Sequence, residues 1–284
     1  MPNTPFSVRP DYDRFVAQEA QYFPSASRAA VERLIDSSLP EETQWVARDR
    51  DGYPDELNIV PRSPDVLVYE GNLPLLSRQV RLAVAGSREA PPERVQTTNE
   101  LASALTEDHV ALLSGMISDI DEAVHLGSLA ARQSSEHVTL STAMVTSPFG
   151  APWPLGRHNL ARKLVRAGGL VVSLAPQLRG LSLSESERLA VVKYRQLIEA
   201  TLSSAILIMY VNDGGFTTKL VQEAIALERP VLLWHEVLTD GSQDVQTWLS
   251  NNPKDRTGRE LFVVVHNVEE IHQAISAWQN VWWL

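Results

Sequence analysis

The chain contains no cysteine. Disulfides, thiolate nucleophiles and cysteine-based zinc sites are thereby excluded. Lysine is scarce too: four of the 25 basic residues are lysines, a bias that reads as composition rather than function. Positive charge is short overall, with a formal net charge of -10 over 284 residues. Phosphate neutralisation by Lys and Arg supplies most non-specific nucleic-acid affinity. The balance therefore counts against a generic nucleic-acid binder, while leaving room for a local basic groove. No apolar run approaches the roughly 20 residues needed to cross a bilayer. Met1-Pro2-Asn3-Thr4-Pro5 lacks the basic-then-apolar pattern of a signal peptide. These absences predict a cytoplasmic protein with no membrane contact. The histidines are scattered without metal-ligand spacing, and no Gly-x-Ser-x-Gly elbow, Walker loop or His-Glu-x-x-His occurs. No catalytic residue, metal ligand or cofactor is assigned.

What is present begins with helical periodicity over residues 11–36, followed by a turn at Pro40-Glu41-Glu42 and a short predicted helix through Trp45 and Val46. Residues 1–50 are read as a small N-terminal helical cap. Pro54, Pro61 and Pro64 then forbid a long helix. From Val66 onward short apolar runs alternate with amphipathic segments. Strands are expected at Val66–Tyr69, Leu82–Ala85, Ala111–Leu113, His137–Leu140, Leu170–Leu174, Ala205–Tyr210, Val231–Trp234 and Leu261–His266. Helices are expected near 92–106, 119–132, 157–167, 185–202, 217–228 and 267–279. This alternation predicts an α/β, Rossmann-like domain over 51–284, a parallel sheet with helices on both faces. The polar stretch Thr239 to Arg259 reads as a surface excursion. Trp278, Trp282, Trp283 and Leu284 are expected to seal the core edge or to form a contact with a second chain.

Three polar turns each follow an apolar run: Gly86-Ser87-Arg88, Ser114-Gly115, and Asp213 to Thr218. Ligands bind at the carboxyl ends of the strands in open α/β sheets, so these turns are expected to share one crevice. Glycine lets backbone approach a phosphate, and the following helix offers free N–H groups. Asp121 and His125 lie four apart, on one helical face. They suit either an acid–base pair or a fold-supporting role, and the fold-supporting role is preferred.

The stretch Ser114 to His125 resembles a motif of the DNA-processing protein A family (DprA, also called Smf): Ser-Gly-x-Ala-x-Gly-Ile-Asp-x-x-Ala-His. Ser114, Gly115, Ile120, Asp121 and His125 match without a gap, while Ile117, Asp119 and Val124 depart from it. Tyr53-Pro54-x-x-Leu57, Pro64-x-x-Leu67, Gly71-Asn72 and Gly86-Ser87-Arg88 resemble the family's earlier segments. Arg195 to Ser203 aligns on Arg-Asn-Arg-Ile-Ile-Ala-Gly-Leu-Ser, and Asp213 to Lys219 on Ser-Gly-Ser-Leu-Ile-Thr-Ala. The resemblance implies single-stranded DNA binding, hand-over to a recombinase, and a homodimer. It gives Arg195 a phosphate contact, places Leu197 where the family has a second arginine, and leaves Lys193 and Arg188 to compensate. Asp213-Gly214-Gly215-Phe216-Thr217-Thr218 is also similar to the Pro-Gly-Gly-x-Gly-Thr-x-x-Glu loop of nucleotide phosphoribohydrolases. Val221 stands at the catalytic glutamate, which excludes that chemistry.

The expected binding residues are Gly86, Ser87, Arg88, Ser114, Gly115, Lys193, Arg195, Gly214, Gly215, Thr218 and Lys219, with Asp121 and His125 supporting the fold. The leading expectation is a non-enzymatic single-stranded-DNA binder. Its departures from the family pattern suggest a specialised paralogue, such as the antitoxin of a phage-defence toxin–antitoxin pair. The alternatives are a nucleotide-sensing regulator and a protein-binding regulator with a vestigial crevice.

Overall fold

The computed structural model describes residues 41–48, 50–60, 63–78, 80–147, 149, 157–174 and 185–282. The strands among them are β1 (Gln44–Ala47), β2 (Val66–Gly71), β3 (Arg81–Gly86), β4 (Ala111–Ser114), β5 (Thr142–Val145), β6 (Leu170–Ser173), β7 (Ala205–Tyr210), β8 (Val231–Trp234) and β9 (Phe262–Val265). The helices are α1 (Pro92–Glu107), α2 (Asp119–Ser134), α3 (His158–Ala167), α4 (Glu185–Leu202), α5 (Phe216–Ala226), α6 (Gln243–Asn251) and α7 (Val268–Trp282). The fold is α/β and Rossmann-like, as expected. One nine-stranded sheet takes the order β1-β2-β6-β5-β4-β3-β7-β8-β9. Pairings from β6 through β9 in that order are parallel. In contrast to the expected all-parallel sheet, β2 runs against β6 and β1 against β2.

Burial explains the strand pattern. Ala205–Met209 is buried throughout, the continuous apolar run of a strand covered on both faces. In β2 the alternation is visible instead: Leu67 and Tyr69 join one apolar cluster, Val66 and Val68 the other. The chain runs outward from β3 to β6 on one side and from β7 to β9 on the other. The order therefore reverses between β3 and β7, the switch point at which open α/β sheets form their crevice.

Three local expectations are corrected. Trp45 and Val46 lie in a strand, not a helix: Val46 is buried, Trp45 is exposed, and the Tyr69 hydroxyl bonds Gln44 Oε1 at 3.0 Å across the pair. The fifth strand starts at Thr142 rather than His137, because it is Thr142 that enters register with both Leu113 and Leu170. Just before it, the Ser141 amide is held by Ser128 Oγ at 3.0 Å. The polar excursion contains α6, capped by Ser242 and seated by buried Val245 and Trp248. The remainder of the expected N-terminal cap, residues 1–40, lies outside the described residues, as do the side chains of Trp282, Trp283 and Leu284. Trp278 is buried, with the Arg259 guanidinium 4.9 Å from its ring centroid.

Candidate functional site

At the switch point lies a cavity of about 920 Å³. Its wall includes Gly86, Ser87 and Arg88 after β3, Lys193 and Arg195 on α4, and Gly214, Gly215, Thr218 and Lys219 at the head of α5. Ser114 and Gly115 are not on that wall; both are buried beneath it. Gly86 is required by a close approach, since a Cβ there would come within 2.6 Å of Ile120 Cγ1. Ser87 joins the two central strands. Its hydroxyl receives the Asn212 amide at 2.8 Å and pairs with Thr217 Oγ1 at 3.1 Å, while Asn212 Nδ2 donates to the Arg88 carbonyl at 2.9 Å. Arg88 and Lys193 are exposed at the rim, whereas Lys219 is turned to Glu223 at 3.0 Å.

Part of the wall is a buried charged group, Asp121, Arg195 and Glu199. Asp121 accepts from the amides of Ile117 at 2.9 Å and Ser118 at 3.1 Å, and Ser118 Oγ in turn caps the Asp121 amide at 3.0 Å. This reciprocal capping box starts α2. Arg195, 6% exposed, stands 3.8 Å from Asp121 Oδ2 and 3.9 Å from Glu199 Oε2. Both separations exceed hydrogen-bond length. Arg195 Nε and Nη1 and Glu199 Oε2 are buried without a hydrogen-bond partner. Burial pushes the Glu199 carboxyl up to about 7; Arg195 pulls it down and Asp121 pushes it up.

His125 is fully buried and bonds at both ring nitrogens. The Gly115 carbonyl 2.7 Å from Nε2 can only accept, so Nε2 carries the proton and Nδ1 accepts from the Ser141 hydroxyl at 2.9 Å. Burial holds its pKa below the ordinary histidine value. Asp121 and His125 share a helical face yet bond different partners, so the geometry is that of two supports rather than an acid–base couple.

Several neighbours of the cavity residues escaped sequence reasoning. Asp244, on the unforeseen α6, accepts from the Gly214 amide at 2.7 Å and from Thr218 Oγ1 at 2.5 Å. Asp213 in turn accepts from Ser242 Oγ at 2.5 Å and from the amides of Gln243 at 3.1 Å and Asp244 at 3.2 Å. Those bonds hold its carboxyl below the usual range. The Ser242 cap, followed three and six residues on by Val245 and Trp248, was the available signal for α6; nothing local tied Asp244 to the loop. Arg157 is a second such residue. Its buried guanidinium bonds the Ser118 carbonyl at 2.7 Å and pairs with Asp119 at 3.2 Å and Glu122 at 3.1 Å. Asp119, the departure from the family glycine, is thus matched by a cation and lies off the cavity wall. Leu197, the other departure, is buried in the apolar core. Among the described residues no cluster of His, Cys, Asp and Glu could hold a metal ion, and no helix is long and apolar enough to cross a membrane.

A family model described as DNA recombination-mediator protein A matches residues 44–268. A stretch of 79 residues is 33% identical to DNA processing protein DprA of Streptococcus pneumoniae, taking in 28% of this chain and 27% of that protein. The solved structure of S. pneumoniae DNA processing protein A is similar over 94% of this chain and 98% of its own, with a TM-score of 0.67 and 16% identity. That of Helicobacter pylori DNA processing protein A, a protein with a unique single-stranded DNA binding mode, is similar over 82% and 96%, with a TM-score of 0.64 and 15% identity. These structural likenesses establish the fold, and the family model, spanning most of the chain, establishes the kinship. The chain belongs to the DNA recombination-mediator protein A family.

Proposed function

We propose that the chain binds single-stranded DNA in the cavity between the ends of β3 and β7, without catalysing a reaction on it. The observation that carries this reading is the cavity itself: the Gly86–Arg88 turn, the head of α5 and α4 meet at the switch point, with Arg88 and Lys193 exposed at the rim. Arg88 and Lys193 supply phosphate contacts from the surface, and Arg195, flanked by Asp121 and Glu199, lines the wall behind them. The H. pylori relative, which binds single-stranded DNA, adds support through shared fold. The departures at Asp119 and Leu197 do not count against it, because neither side chain lines the cavity.

Fluorescence anisotropy of a labelled oligothymidylate tests the reading. Binding at about 50 mM salt that weakens steeply by about 200 mM is the expected result. No binding at the lower salt rejects it. A second reading, a nucleotide-sized ligand, is favoured by the cavity volume of about 920 Å³, within the range of small-molecule sites. A nucleoside monophosphate that competes fully with the oligonucleotide would favour it.

A further inference from the structure

The helix α5 starts with no cap of its own. Its N-cap is Gly215, which has no side chain to accept the free N–H groups of the first turn. One oxygen of Asp244, 30 and 26 positions further along, sits at that head and takes the Gly214 amide, one residue before the N-cap, and the Thr218 side-chain hydroxyl, at 2.7 and 2.5 Å. Two donors converging on one anionic oxygen at a helix head is the arrangement that otherwise receives a phosphate oxygen. A second observation in the same cavity points to an anion independently. Arg195 is 6% exposed, lines the cavity wall, and keeps Nε and Nη1 without a hydrogen-bond partner. The chain supplies its own anion on the α5 side of the cavity and leaves the buried guanidinium short of acceptors on the α4 side.

We propose that Asp244 is an internal latch: its carboxylate fills an anion position at the head of α5, and a ligand phosphate takes that position by displacing it. The latch is accessible, because Gly214 is exposed and Asp244 is half-buried. It is also separable from the fold of α6. Asp213 holds the α6 head through Ser242 Oγ and two backbone amides, so those bonds persist when the Asp244 side chain is removed. Displacement exchanges one set of charge-assisted hydrogen bonds for another, and a phosphate brings more charge and more acceptor oxygens than a carboxylate. The latch therefore weakens phosphate binding without abolishing it, and selects against ligands that cannot replace the carboxylate.

This inference deepens the DNA-binding reading, and its test is built to fail separately. The probe is inorganic phosphate, read at the Gly214 amide by nitrogen–proton NMR in the full chain carrying Asp244→Ala and in the wild type. Phosphate is expected to shift that amide in the variant at about tenfold lower concentration than in the wild type. If phosphate leaves the Gly214 amide of Asp244→Ala unmoved, or moves it no more readily than in the wild type, the latch is overturned. Asp213→Ala, which frees the α6 head but keeps the Asp244 carboxylate, serves as the control for mere loosening of the loop; an equal rise in phosphate sensitivity there overturns the latch as well. Oligothymidylate binding, measured beside it, judges the DNA reading alone.

Discussion

The guanidinium of Arg195 occupies the space that a Cβ on residue 115 would need. Glycine at 115 is therefore what admits a buried arginine to the cavity wall, and the two residues are explained together rather than apart. The glycine, expected at a phosphate-approach position, gives clearance to a cation.

Gly115→Ala should accordingly destabilise the fold by about 1–3 kcal/mol, the usual cost of overpacking a closed site. It should also push Arg195 off its place between Asp121 and Glu199. Urea unfolding measures the first effect. An unchanged midpoint would show that the arginine moves aside freely and that the fit is not tight.

Glu199 gives the fold a pH dependence of unusual sign. Its carboxyl is raised to about 7 in the folded chain, whereas it titrates near 4.3 when unfolded. Between those values the folded state holds more protons, so stability falls as pH rises through the window and levels off above it. The loss is on the order of 3 kcal/mol for a shift of this size. Glu199→Gln should remove the slope. The difference in unfolding midpoint between wild type and variant, compared at pH 5 and pH 8, should move against the wild type at the higher pH. A parallel response of the two proteins refutes the assignment.

His125 should be neutral with its proton on Nε2 across the physiological range, which histidine nitrogen NMR reports directly. His125→Phe leaves the Gly115 carbonyl and the Ser141 hydroxyl without their partner. Each buried unsatisfied group costs about 1–3 kcal/mol, so a lower melting temperature is expected, with oligonucleotide affinity of the folded fraction little changed. A protonated imidazolium at pH 7 would contradict the hydrogen-bond assignment.

Arg88→Ala should weaken oligothymidylate binding and flatten its salt dependence by about 0.7 for each phosphate no longer neutralised. Lys219→Ala should do less, because that ammonium is already paired with Glu223. Equal effects would mean that Lys219 leaves Glu223 when DNA arrives.

Most of the sheet was readable because buried parallel strands are continuous apolar runs, and Ala205–Met209 needs no other signal. The edge was harder. Gln44–Ala47 is four residues, the first two exposed and the last two buried, so no period-2 alternation marks it off from a helix turn. At the site, Gly86, Ser87 and Gly214 were legible from turn chemistry next to those runs. Ser114 and Gly115 carry the same turn pattern, yet Ser114 is turned inward to the Val84 carbonyl and Gly115 is covered by Arg195. Asp244 and Arg157 were not legible. Each answers a residue 30 or 38 positions away, and such pairings are set by how layers meet, not by any local pattern.

Ser87 and Asn212 are 125 positions apart in the chain, yet their bond closes the two halves of the sheet. On a ribosome, β3 emerges long before β7, and non-local pairings of this kind form late in folding. The neighbouring pieces β3, α1, β4 and α2 can assemble early by sequential contacts. The cavity cannot, because its other walls arrive with α4 and α5, and Asp244, which bonds the head of α5, arrives only with α6. A nascent or prematurely ended chain thus holds half a sheet and no crevice, and the crevice is completed only late in synthesis.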